Sequence, residues 1–257
     1  MQYNTIGVIL RKKDFRESDI FFSIYTKDTG KVQAIARGVK KVKSKLGGHL
    51  DYFATVDLMI AKGKKFDHIA GAVIEKNFYC LKSDLNKINF GFYCLEIVDY
   101  FVKEGKKDNR IFFLIKDFLN LLNSRFCYSE IKAEKENLFM VSYFFILKFL
   151  DYLGYKPEFY YCLKCHKEAN FGRANFFSAQ AGGIICYDCV KSSKIADCKE
   201  ISNNSIKLLS AVLTNDLSEI VKIKIDRKIL SECIKIIDKF LLYRLDASIK
   251  SRKFITT

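Results

Sequence analysis

The stretch DIFFSIYTKDTGKVQAIAR (residues 19–37) decides the fold of the first third of the chain. Apolar residues recur at every second position on either side of a turn. In the first run Ile20, Phe22 and Ile24 share one face, and Phe21, Ser23 and Tyr25 share the other. In the second run Val32, Ala34 and Ala36 stand opposite Lys31, Gln33, Ile35 and Arg37. A period of two is the signature of a strand, and Asp28-Thr29-Gly30 supplies the turn between the runs. Upstream, TIGVILRK (5–12) alternates with Ile6, Val8 and Leu10 on one face. Downstream, YFATVDLMIA (52–61) and HIAGAVIEKNF (68–78) repeat the pattern around the break KGKKFD (62–67). Five short strands within residues 1–80 suit a small, partly closed barrel of the OB kind. Periodicity does not give strand order, so an SH3-like barrel stays open.

The third and fourth strands are joined by RGVKKVKSKLGGHL (37–50), which carries Arg37, Lys40, Lys41, Lys43 and Lys45. No acidic residue occurs between Asp28 and Asp51. Like charges held together repel unless something negative sits beside them. The whole chain leans the same way. Its 257 residues hold 44 Lys and Arg against 29 Asp and Glu, a formal net charge of +15. Such a chain favours polyanions: nucleic acid, an anionic membrane or acidic proteins. A lysine-rich solvated surface would give the same total, but the distribution favours a site. Residues 1–80 hold 15 basic and 8 acidic residues, about twice the excess per residue of the remainder. Arg11, Lys12, Lys13 and Arg16 are expected at a strand end beside this surface, and Lys62, Lys64 and Lys65 in a hairpin turn. Phe21 and Tyr25 would be placed to stack bases if exposed, but the tendency of large aromatics to bury favours packing against the helices instead.

From about residue 84 the apolar spacing changes to three and four. LNKINFGFYCLEIVDYFVKEG, NRIFFLIKDFLNLLNS and IKAEKENLFMVSYFFILKFLDYLG read as helices, the last stopping at Gly154 with Pro157 beyond. Helical spacing resumes at NSIKLLSAVL and at RKILSECIKIIDKFLLYRL, which Asp226 is placed to cap. The expected organisation is a barrel over 1–80, helices over 81–157, an insert over 158–199 and further helices over 200–257. The class is α+β. The greasiest run, LFMVSYFFILKFL (138–150), contains Lys148 and is too short to span a bilayer, so it reads as a buried helix. The N-terminus has no secretory pattern, which points to a cytoplasmic protein without a membrane.

The insert holds CLKC (162–165) and CYDC (186–189), with twenty residues between the pairs. This is the spacing of a structural zinc site with Cys162, Cys165, Cys186 and Cys189 as ligands. Two residues between thiolates let one tight turn aim both sulfurs at one ion. NFFSAQAGGIIC, with Gly182-Gly183, reads as the hairpin that returns the chain to the same ion. Thioredoxin-like chemistry would use one such pair near a βαβ unit. A catalytic zinc would need an open position, and the deaminase pattern is absent. His166 follows Cys165 directly and is expected as a turn residue at positive φ rather than a fifth ligand. Cys80, Cys94, Cys127, Cys198 and Cys233 read as ordinary core or surface residues. Nine cysteines, an odd number, argue against a disulfide framework. No P-loop, dinucleotide fingerprint or carboxylate cluster at metal spacing appears.

Taken in order, GVILRKKDFRESD (7–19), TGKVQAIARGVKKVKSKLGGHLDYF (29–53), LDYLGYKPEFYYCLKC (150–165), AGGIICYDC (181–189) and FLLYRLDASIKSRKF (240–254) resemble the RecO family of bacterial DNA repair and recombination proteins. The resemblance implies a mediator without an active site, nucleoid-associated in the cytoplasm. It would bind single- and double-stranded DNA and anneal complementary strands. With RecR it would help load RecA onto DNA coated by single-stranded-DNA-binding protein. It implies that Arg37, Lys40, Lys41, Lys43 and Lys45 contact DNA; Arg11, Lys12, Lys13 and Arg16, from their place at a strand end, either extend that DNA-binding surface or form an ordinary solvated turn. It implies that the four paired cysteines hold one zinc ion. Arg244 and Arg252, near the C-terminus, are candidates to dock the acidic, hydrophobic tail of a single-strand-binding protein. The competing reading is a zinc-stabilised adaptor whose basic barrel binds RNA or an acidic protein; a zinc hydrolase or nuclease is the third.

Overall fold

The computed structural model describes residues 1–124, 131–169, 172–193 and 197–255. The chain forms two compact units, Met1–Ser129 with Ile249–Thr257, and Glu130–Ser248.

In the first unit β1 (Gln2–Asp14), β2 (Ile20–Thr26), β3 (Gly30–Ala36), β4 (Ala54–Ala61) and β5 (Asp67–Asn77) close into a barrel of order β1-β2-β3-β5-β4. Neighbours are antiparallel except β3 and β5, which run parallel through Ala34↔Asp67 and Ile35↔His68. That parallel closure selects the OB-like arrangement over the SH3-like one. The interior is filled by the alternating sets expected: Phe22 and Ile24 from β2, Val32, Ala34 and Ala36 from β3, and Val56, Leu58 and Ile60 from β4. On β1 the row Ile6–Val8–Leu10 is not the interior one; Ile9 is. Both faces of this strand are covered, because α2 packs on β1. Alternation marks the two faces but not which is inside. Gly7 lies on the interior side, where an added Cβ would come within 2.7 Å of Ile24. After a register shift between Ile9 and Arg11 the basic end of β1 continues the ladder, with Arg11 opposite Ser23, Lys12 opposite Phe22 and Lys13 opposite Phe21.

The helices α1 (Tyr79–Lys82), α2 (Leu85–Phe101) and α3 (Asn109–Asn123) follow the barrel. Asp84 and Asp108 cap the last two by accepting from the N–H groups of Lys87 and Arg110. Tyr25 is fully buried; its hydroxyl donates to the Asp108 carbonyl at 3.0 Å and accepts from the Asp108 N–H at 3.2 Å. It therefore packs against the helical layer and is closed to bases. Burial pushes its phenol up to about 12. Asp99 of α2 reaches β1, β2 and β3 together: it accepts from Ser23 Oγ at 2.5 Å and pairs with Lys31 at 2.8 Å and with Arg11 at 3.0 Å. A short 3-10 helix, Lys250–Phe254, belongs to this unit because Glu96 of α2 accepts the N–H groups of Lys250 and Ser251 at its start.

In the second unit α4 (Ile131–Tyr152) is buried along 140–150. Its end is a Schellman motif: Gly154 lies at φ +88, Tyr155 N–H bonds Leu150 O, and Gly154 N–H bonds Asp151 O. Lys148, 5% exposed, donates to the carbonyls of Val212 at 3.1 Å and Asn215 at 2.6 Å. It thus satisfies orphan carbonyls at the C-terminus of α6 (Asn203–Thr214). After α7 (Leu217–Ile220), α8 (Arg227–Arg244) starts where Asp226 accepts from Lys228 and Ile229 N–H, and it buries Leu230, Cys233, Ile237, Phe240 and Leu241. No helix among the described residues is long and apolar enough to cross a membrane.

Candidate nucleic-acid interface and metal centre

The basic connection between β3 and β4 is a fixed loop. Val39 and Leu50 are buried and belong to the barrel core, and Leu46 packs against it. Asp19 accepts the Gly38 N–H at 2.7 Å, and the Lys40 N–H bonds the Ser18 carbonyl. Gly38 sits at φ +61, a conformation that glycine adopts without strain. With Val39, Leu46 and Leu50 turned inward, the loop turns its cations out, and Val42 is exposed among them. Arg37, Lys40, Lys41, Lys43 and Lys45 are all exposed. Among the described residues Lys41, Lys43 and Lys45 have no acidic partner. Lys40 pairs with Asp14 at 2.7 Å, and that carboxylate is 80% exposed. An exposed pair of this kind contributes less than about 1 kcal/mol, so a phosphate displaces it cheaply.

The cations at the end of β1 are placed differently from one another. Arg11 is held by buried Asp99. Lys12 pairs with Asp51 at 3.0 Å, lies 4.6 Å over the Tyr52 ring, and donates its backbone N–H to the Tyr52 hydroxyl. Burial would raise the Asp51 carboxyl, but Lys82 and Lys12 bond to it and hold it below the usual carboxylate range. Lys13 is exposed with no partner among the described residues. Arg16 covers the Phe15 ring at 5.4 Å.

Beside the loop lies a groove of about 540 Å³ that sequence reading missed. The β1–β2 turn contributes Phe15 and Arg16, Arg37 follows the end of β3, and the β4–β5 hairpin contributes Lys64, Lys65 and Phe66. Phe66 is the centre of an aromatic cluster: its ring lies 6.2 Å from Phe15 and 5.4 Å from Phe21, edge-on to both. Arg37 Nη2 stands 3.4 Å from His68 Nε2 on the groove floor. Only the parallel β3–β5 pairing brings these residues together, and no local pattern announces that pairing.

In the second unit the insert forms β6 (Asn175–Ser178) and β7 (Gly183–Cys186), the hairpin expected, followed by α5 (Tyr187–Ser193). A third strand, β8 (Cys198–Ile201), pairs on the free edge of β6 and was not legible beforehand. The four sulfurs of Cys162, Cys165, Cys186 and Cys189 lie within 4.8 Å of one another. The Cys165 and Cys186 sulfurs are 3.8 Å apart. A tetrahedral zinc with bonds of about 2.3 Å sets its sulfurs about 3.8 Å apart, so the donor set fits. The first knuckle is closed by His166 N–H bonding Cys162 O, with His166 at φ +57. His166 is thus the turn residue, outside the sulfur cluster. The Cys186 N–H donates to Cys162 Sγ at 3.3 Å. Burial works against ionising Cys162, yet N–H donors of Cys165, Cys186 and Lys164 bring its thiol down to about 6. Cys189 is pushed up to about 12 by burial and by its three neighbours. Four sulfurs this close cannot all carry charge without a cation between them. Cys80 and Cys198 are partly exposed, and Cys94 and Cys233 are buried core residues. Cys127 lies outside the described residues.

Arg244 ends α8 in the second unit, its guanidinium 4.7 Å over the Phe240 ring. Arg252 lies in the 3-10 helix of the first unit.

Residues 1–78 match the family description Recombination protein O N terminal, and residues 82–253 match Recombination protein O C terminal. A protein of Dehalococcoides mccartyi named DNA repair protein RecO is 34% identical over 230 residues, 90% of this chain and 85% of its own. The protein of the same name from Alkaliphilus metalliredigens is 30% identical over 249 residues, 96% of this chain and 95% of its own. That from Caldanaerobacter subterraneus is 28% identical over 250 residues, 97% and 96% of the two chains.

Proposed function

The chain belongs to the RecO family of DNA repair proteins, and from that premise we propose that it is a non-enzymatic mediator that binds single- and double-stranded DNA and anneals complementary strands. The observation that carries the reading is the anchored loop 37–50, whose Lys41, Lys43 and Lys45 are exposed and have no acidic partner among the described residues. Cations held on a rigid barrel meet phosphates whatever the base sequence, and binding releases counterions. Arg37 and Lys40 extend the row, and Lys13 adds to it. Arg11 and Lys12 contribute less, since Asp99 and Asp51 already hold them. Neutralising both backbones lowers the repulsion between two strands, which is the barrier to annealing. That needs no nucleophile, general base or nucleotide.

Zinc is the ion we assign to the four cysteines. Cys162, Cys165, Cys186 and Cys189 would fill its shell, leaving no open position, so its contribution is to hold the β6–β7 hairpin and α5 together. In this reading the protein works in the cytoplasm at the nucleoid. It acts with RecR and with single-stranded-DNA-binding protein, and helps RecA onto the coated strand. Arg244 and Arg252 are the proposed contacts for that protein's acidic tail. Unchanged tail affinity in Arg244→Ala and Arg252→Ala would remove them.

The test is annealing of complementary oligonucleotides without ATP, beside titration of labelled DNA and RNA. The mediator binds DNA of any sequence and accelerates annealing. Binding only to RNA or to acidic protein, with no acceleration, would instead indicate an adaptor.

A further inference from the structure

We propose that the groove between the β1–β2 turn and the β4–β5 hairpin is a stacking site for unpaired bases, so that single strands gain contacts there that a duplex cannot make. This deepens the nucleic-acid reading above and rests on it. The cavity, about 540 Å³, falls in the roughly 300–1,000 Å³ range of small-ligand sites. It lies where the β1–β2 turn, the end of β3, the β4–β5 hairpin and the start of β5 meet, on a barrel of the type that binds oligonucleotides.

Three observations make it a site for bases rather than an ordinary apolar dimple. The first is the exposed aromatic surface: Phe15 is 42% exposed, a large ring left in water at the rim of a cavity. Phe66 is fixed beside it by edge-on contacts with Phe15 and Phe21. The second is the charge around the rings. Arg16, Arg37, Lys64 and Lys65 line the groove against one carboxylate, Asp19, whose Oδ1 is already taken by the Gly38 N–H. The third is how the cations sit. Arg16 lies 5.4 Å over Phe15 and Lys65 lies 5.7 Å over Phe66, so each ring carries a long, mobile cation. A cation over an exposed ring is held more weakly than a stacked base. An incoming base therefore takes the cation's place on the ring, and the displaced guanidinium or ammonium turns to the adjacent phosphate. Both halves of a nucleotide are met by one exchange. Bases paired within a duplex offer no free face, so duplex contacts stay with the lysine loop.

The experiment compares three DNAs at one salt concentration: a single-stranded oligomer, an oligomer of equal length built of abasic sites, and a duplex. The unchanged protein should bind the base-bearing strand more tightly than the abasic one. Phe15→Ala and Phe66→Ala should each lose roughly 5- to 150-fold on the base-bearing strand. Both should keep their affinity for the abasic strand and the duplex, and their salt slope. Phe66→Tyr should restore binding. Because Phe66 is partly buried, duplex binding by Phe66→Ala reports that the barrel is intact, and Phe15→Ala, at the surface, gives the same test without that risk. Equal binding of the two single strands by the unchanged protein, or full single-strand affinity in Phe15→Ala, overturns the proposal while leaving phosphate binding in place. An unchanged protein that binds none of the three DNAs overturns the nucleic-acid reading and this one with it.

Discussion

Removing the carboxylate of Asp99 tests how α2 is tied to the barrel. Asp99 is 8% exposed, and so is Lys31, whose ammonium lies 2.8 Å from it. Ser23, with no exposed surface, donates its hydroxyl to the same carboxylate. In Asp99→Ala the Lys31 ammonium keeps its bond to the Asp99 main-chain carbonyl but loses its counter-charge. An uncompensated buried charge costs about 3–5 kcal/mol. The Ser23 hydroxyl loses its acceptor as well. Against a typical total of about 5–15 kcal/mol, this is a large fraction. Arg11 is the control: its side chain is 55% exposed, so Arg11→Ala should cost less than about 1 kcal/mol. Combining Lys31→Met, Ser23→Ala and Asp99→Leu removes every buried partner at once and should return most of the loss. Urea unfolding followed by circular dichroism measures all three. If Asp99→Ala shifts the midpoint no more than Arg11→Ala does, the carboxylate is not the tie described.

Three further outcomes follow from the geometry. Tyr25 is protonated more tightly folded, at about 12, than unfolded, near 10, so its contribution is complete below pH 10 and is lost as pH rises through 12. Relative to Tyr25→Phe, the parent should lose about 2–3 kcal/mol over that window, and parallel curves would contradict the burial argument. The metal centre should hold one zinc per chain by atomic absorption. Cys165→Ser with Cys189→Ser should abolish it and expose the β6–β7 hairpin to protease in the full chain. Stoichiometric zinc in that variant would refute the ligand assignment. Lys148→Met should cost about 1–3 kcal/mol by leaving the Val212 and Asn215 carbonyls without their donor, and an unshifted urea midpoint would show that other groups satisfy them.

What could be read in the sequence was what local physics sets. A period of two placed Phe22, Ile24, Val32, Ala34 and Ala36 inside the barrel. Side-chain and backbone chemistry marked Gly154 as a helix stop, Asp226 as a cap and His166 as the residue at positive φ. Cysteine spacing located the sulfur cluster, since two close pairs leave the chain few ways to meet. What depends on pairing across the chain was out of reach. Lys31 looks like a solvent-facing residue of β3 until Asp99, 68 positions away, is packed onto it. The aromatic groove exists only because β5 closes parallel to β3. The four residues of β8 are too few to show a period. The segment Lys250–Phe254 joins the first unit through Glu96, a partner that no spacing rule connects to it.

The central claim is that the cations of the 37–45 loop act by neutralising phosphate. Its most direct measurement is single-strand affinity and annealing rate across salt, in the parent and in a variant with Lys40, Lys41, Lys43 and Lys45 changed to Gln. With about −0.7 per phosphate contact on a single strand, loss of the four lysines should make the slope of log affinity against log salt shallower by roughly 2.8. Annealing should slow in parallel. A variant that keeps the parent's slope and rate would place the phosphate contacts elsewhere and contradict the account.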